Sequence, residues 1–134
     1  MTMLENIGTA FITAIFFILL SLPILYKVVS GSECPNAWSH VLHMFVFIML
    51  VGIILTIINL MKNRYVRKPF NNIILCAITY GLIFYLLSNN EIYTITDKLP
   101  YIQTIDGAGC PTYIGIFLHS IVCLISVFLF KLLR

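Results

Sequence analysis

The stretch Gly31-Ser32-Glu33-Cys34-Pro35-Asn36-Ala37-Trp38-Ser39-His40-Val41-Leu42-His43 has a counterpart 76 residues later, Gly107-Ala108-Gly109-Cys110-Pro111-Thr112-Tyr113-Ile114-Gly115-Ile116-Phe117-Leu118-His119. Gly, Cys, Pro, Leu and His recur in register, and Cys to His is nine residues in both. Upstream, Phe17, Leu19, Leu20, Ser21 and Tyr26 match Phe84, Leu86, Leu87, Ser88 and Tyr93. The pattern reads as one unit of two helices written twice.

Each copy is embedded in apolar sequence. Charge-free runs cover residues 6–26, 34–61, 69–90 and 107–130, which are 21, 28, 22 and 24 residues long. A helix of about 20 residues crosses the hydrocarbon of a bilayer, and lipid admits only helices or closed barrels. Alternating strand patterns of the barrel kind are missing. Over the whole chain of 134 residues, 60% are hydrophobic, 10% are charged, and mean hydropathy is +1.02. That balance excludes an ordinary soluble domain. The predicted fold is therefore all-α, a four-transmembrane-helix bundle of two tandem helical hairpins in a parallel 2+2 repeat. One integral membrane domain spans 1–134: repeat unit one at 7–60, a basic loop at 61–72, and repeat unit two at 73–133. The first run carries Glu5 and no basic residue before it, so it reads as a retained span rather than a cleaved signal.

Lys and Arg set the expected orientation. Lys62, Arg64, Arg67 and Lys68 crowd the loop between the second and third runs, and Lys131 and Arg134 close the chain. The positive-inside rule puts both termini and this loop in the cytoplasm. Tyr26, Trp38, Tyr93 and Tyr113 read as interfacial anchors on the other side. The net charge of +3 comes largely from the one loop. It is read as topology and lipid attraction, with no nucleic-acid partner.

Proline marks the ends. Pro35 and Pro111 are expected at the first position of their helices, and Pro23 is expected to kink the first span near its outer end. From Tyr to Cys the outer loop is eight residues in the first unit and seventeen in the second. The extra length includes Pro100 and Tyr101. Residues 94–106 and the basic loop 62–68, with Lys62, Arg64, Arg67, Lys68 and Tyr101, are the candidate docking surfaces.

Cys34 and Cys110 occupy equivalent points on one face. They form a cross-repeat disulfide in an oxidising lumen, or stay as two separate thiols. Cys76 and Cys123 fall inside spans and pack as small apolar residues. His43 and His119 lie roughly 12 Å below their helix starts, where an ionisable side chain is a functional candidate by default. Ser39 and Gly115, four residues earlier, permit close helix approach. One reading is a neutral His pair bonding helix to helix at the bundle centre. The sharper alternative is a bis-histidine haem b on His43 and His119. Zinc lacks two further ligands at that depth, so no metal is predicted. No nucleophile and base stand at catalytic spacing, so an enzyme with a small-molecule substrate is not predicted. The spans hold no Asp, Glu, Lys or Arg, which argues against a transporter, though an oligomeric channel stays open.

The runs Phe16-Phe17-Ile18-Leu19-Leu20-Ser21 with Leu42-His43-Met44-Phe45-Val46-Phe47, and Phe84-Tyr85-Leu86-Leu87-Ser88 with Leu118-His119-Ser120-Ile121-Val122, resemble small multi-span virion membrane proteins of large nucleocytoplasmic DNA viruses. The chain departs from them at the turn, with Ser21-Leu22-Pro23 and Ser88-Asn89-Asn90 where the family tends to carry Ser-Pro-Gly. The resemblance implies a structural protein of the virion internal membrane, contacting capsid or neighbouring membrane proteins. The alternative is an accessory subunit of a large membrane complex, for example respiratory.

Overall fold

The computed structural model describes residues 3–134, and six α-helices account for most of them. They are α1 (Met3–Ser21), α2 (Pro23–Ser30), α3 (Ala37–Leu60), α4 (Phe70–Leu87), α5 (Asn90–Thr96) and α6 (Tyr113–Leu133), with a 3₁₀ turn at Arg64–Val66. Four of them, α1, α3, α4 and α6, are long and apolar enough to cross a membrane. This is the arrangement of a multi-pass membrane protein. Large apolar side chains such as Phe45, Met49 and Ile53 face outward, as lipid requires.

Three of the five prolines, Pro23, Pro35 and Pro111, act differently from expectation. Pro23 breaks the first helix instead of kinking it. Leu22 takes an extended conformation (φ −61°, ψ 133°) and Pro23 opens α2. A residue before proline is pushed out of the α region, and the proline ring suits the first turn of a new helix. Gly31 then ends α2 in the left-handed region at φ 74°, its N–H donating to Lys27 O at 2.8 Å. Pro35 and Pro111 stand just outside their helices rather than at the first helical position. Asn36 and Thr112 come next as caps, accepting from Ser39 N at 2.8 Å and Gly115 N at 3.0 Å. A side-chain oxygen at that position satisfies a free helical N–H, which proline cannot do.

The four long helices form a ring in which α1 packs most extensively on α6 and α3 on α4, with lighter contacts between α4 and α6 and between α1 and α3. The heaviest packing thus runs between the predicted units, not within them. Phe84 sits at the centre, edge-on to Phe17 (centroids 5.4 Å apart) and stacked on Phe47 (4.7 Å). Such aromatic contacts contribute roughly 1 kcal/mol each beyond burial. Gly81 is required where α3 and α4 meet, since a Cβ there would run into the Ile48 side chain.

Candidate functional site: the disulfide end and its histidines

Cys34 and Cys110, each at the foot of a long helix, are joined by a disulfide, their Cα atoms 4.9 Å apart. The bond ties the start of α3 to the start of α6. Beneath it lie the two histidines. His43 Nδ1 donates to Leu20 O at 2.7 Å, and its ring stacks on Tyr26 with centroids 4.1 Å apart. His119 Nδ1 donates to Leu87 O at 2.6 Å, and its ring stacks on Tyr93 at 3.9 Å. Leu20 and Leu87 close the last turns of α1 and α4, where backbone carbonyls have lost their helical partners. Each imidazole satisfies one such carbonyl. The histidines therefore bond helix to helix, but through backbone carbonyls and not to each other.

A carbonyl only accepts, so Nδ1 carries the proton in both rings. For His119 the remaining nitrogen, Nε2, lies 3.0 Å from Thr96 Oγ1 on α5. Both nitrogens of His119 are engaged. His40, one turn before His43, places Nε2 2.6 Å from Ser88 Oγ, which itself donates to Phe84 O. The His40 ring stacks on Tyr85 at 4.4 Å.

Two of the three tyrosines, Tyr26 and Tyr93, differ from the anchors expected of them. Trp38 and Tyr113 are 73% and 71% exposed, as interfacial residues are. Tyr26 and Tyr93 are 2% and 1% exposed, because they cover the imidazole faces. Burial pushes both hydroxyls above the ordinary phenol range; for Tyr93 the neighbouring Tyr26 adds to the rise and Ser21 opposes it. Both tyrosines recur at the same offset in the repeat. An interfacial anchor has no need of such register, and that register is the signal in the sequence for their buried role.

The long outer loop is folded rather than free. Thr104 is fully buried, with its N–H donating to Asp97 Oδ1 at 2.7 Å and its hydroxyl to Tyr93 O at 2.6 Å. Thr112 N donates to Thr104 O at 2.9 Å, and Ile105 pairs with Pro111. The loop backbone presses on α6 where Gly115 lies, since a Cβ there would sit 2.5 Å from Thr104 O. Gly115 thus makes room for a loop, and Ser39 serves the α3 cap, where close helix approach was expected of both. Tyr101 projects fully exposed at the loop tip, with φ 70°.

The basic loop also folds on its own helix. Arg67 donates to Leu60 O at 2.7 Å and to Lys62 O at 3.1 Å, covering the end of α3. The Asn59 side chain brackets the Lys68 backbone. Lys62 pairs with Glu5, while Arg64 lies in the exposed 3₁₀ turn. Among the described residues no group of three His, Cys, Asp or Glu gathers in a metal-binding cluster. No protein family, curated protein or solved structure matches this chain.

Proposed function

We propose that the protein is a structural membrane component, anchored in the internal membrane of a large DNA virus and contacting capsid or neighbouring membrane proteins. The observation that carries a structural role is the use made of its buried polar side chains. His40, His43 and His119 each hold a neighbouring helix end or turn in place, and a disulfide clamps the same end. These groups serve the shape of the bundle. The viral assignment rests on the resemblance of the two Leu-His segments and the Phe-Leu-Leu-Ser runs.

In this reading the two hairpins are parallel repeats about an axis along the membrane normal. Matching contacts favour it: His43 with Leu20 and Tyr26, and His119 with Leu87 and Tyr93. Both termini and the basic loop face the cytoplasm, since Lys and Arg gather there and the disulfide belongs on an oxidising side. The exposed Tyr101 tip and Arg64 turn are the contact points. A haem on His43 and His119 would first have to displace Thr96 from His119.

Cross-linking and mass spectrometry on native particles test the assignment. Cross-links from Lys98 or Lys62 to a capsid or internal-membrane protein are expected. Recovery of the chain with respiratory subunits would overturn it. A Soret band in the purified protein, lost in His119→Ala, would replace it with the haem reading.

A further inference from the structure

At the end of the bundle opposite the disulfide, the helices surround a cleft of about 50 Å³. It has room for a few water-sized groups, the scale of one phosphoryl group. Its charged lining is four cations, Lys62, Lys68, Lys131 and Arg134, against one carboxylate, Glu5. Glu5 pairs with Lys62 and Lys131 donates to Thr9 Oγ1 at 2.8 Å, and cationic side chains outnumber carboxylates around the one small space. An excess of cationic side chains around one cleft favours an anion among them.

A second observation points the same way. Tyr80 on α4 is fully buried and lines this cleft, yet its hydroxyl has no hydrogen-bond partner among the described residues. Arg134, another lining residue, donates to Cys76 Sγ on the same helix as Tyr80 at 2.8 Å. A buried donor is seldom left unmade. A phosphate oxygen in the cleft would accept from it.

A third observation identifies what carries the phosphate. Ile73 lines both the cleft and an apolar groove between α3 and α4. On α3 the groove extends from Phe45 to Ile57, about 18 Å at the helical rise. That is close to the hydrocarbon depth of one leaflet, about 15 Å. Basic pockets between membrane helices recognise anionic headgroups. We propose that this end of the bundle binds one anionic phospholipid, its phosphate held by Lys68, Lys131, Arg134 and the Tyr80 hydroxyl, and one acyl chain lying along the α3–α4 groove.

The test uses the full chain in phosphatidylcholine nanodiscs doped with phosphatidylglycerol, with retained lipid read by native mass spectrometry. One phosphatidylglycerol per chain is expected. Lys68→Gln and Lys131→Gln should each lower its retention about fivefold, and Tyr80→Phe about tenfold, as for a lost hydrogen bond to a charged group. Arg64→Gln, in the same loop but outside the cleft, should leave retention unchanged. Circular dichroism verifies that each variant is folded. If Lys131→Gln does not fold, Lys68→Gln still decides, because the contacts Lys68 makes with Asn59 run through its backbone. An equal loss in Arg64→Gln would mean diffuse surface attraction and overturn the site. Displacement of the lipid by inorganic phosphate would assign the cleft to free phosphate and overturn the lipid. A dimer mass in place of the lipid adduct would give the groove to a second copy and overturn the lipid as well.

Discussion

The two ends of the bundle are built on opposite terms. At one end a disulfide, three histidines and a folded loop satisfy one another at short range. At the other, long cationic side chains surround a cleft and a single carboxylate. At the first end the chain itself supplies the partners of all three imidazoles, although the buried Tyr26 and Tyr93 hydroxyls have none among the described residues. The second gathers more cations than carboxylates, and its Tyr80 hydroxyl has no hydrogen-bond partner among the described residues. A membrane bundle of this size can hold its shape at one end and leave the other to meet a ligand.

Substitutions that break this contrast should rank by end. Cys34→Ser, or reduction of the native protein, should be the most damaging. Opening a link across a sequence separation of 76 removes a constraint worth about 4 kcal/mol by the loop-closure relation, read as a large fall in thermal midpoint in detergent. Gel electrophoresis should show a mobility change on reduction that Cys34→Ser lacks.

His119→Ala comes next, at about 3 kcal/mol, since it leaves the Leu87 carbonyl unmatched, removes one contact of the Thr96 hydroxyl and strips Tyr93 of its stacking partner. His43→Ala should cost less by about 1 kcal/mol, because one ring nitrogen rather than two bonds across. Equal losses at both positions would show that Thr96 adds nothing and would erase the difference between the halves. Paired chemical-denaturation curves measure this.

Gly115→Ala should cost about 2 kcal/mol, as an overpacked contact does. The added methyl meets loop backbone rather than a flexible side-chain tip. Faster proteolysis within residues 94–106 should accompany it. At the basic end, Lys62→Ala should be the mildest of the series, about 1 kcal/mol or less, as for a partly exposed ion pair. A larger loss there than at Gly115 would reverse the contrast.

How much of the site is legible in the sequence varies with the kind of interaction. The cysteines pair as candidates because equivalent points in a repeat approach a common axis. The histidines stand out because polar rings are costly in lipid. Their partners do not, because a backbone carbonyl at a helix end has no residue type to mark it. Ser88 and Thr96 are invisible as partners for a similar reason, being small hydroxyls common at turns. The loop at 94–106 reads only as a candidate docking surface, because its order depends on Thr104 reaching Asp97 and Tyr93, contacts set by folding.

By itself the sequence determined the number of apolar crossings, the end of the bundle that holds the cysteines, and the end that gathers lysine and arginine. Length and hydropathy suffice for that, since lipid imposes one dimension on each helix independently. Only the tertiary structure decided that α1 packs on α6 and α3 on α4, that the imidazoles turn to Leu20 and Leu87, and that Tyr80 ends in a basic cleft. Those outcomes depend on the rotation of each helix about its own axis. Helices apolar on every face carry no stripe that specifies it, so close packing and a few hydrogen bonds make the choice.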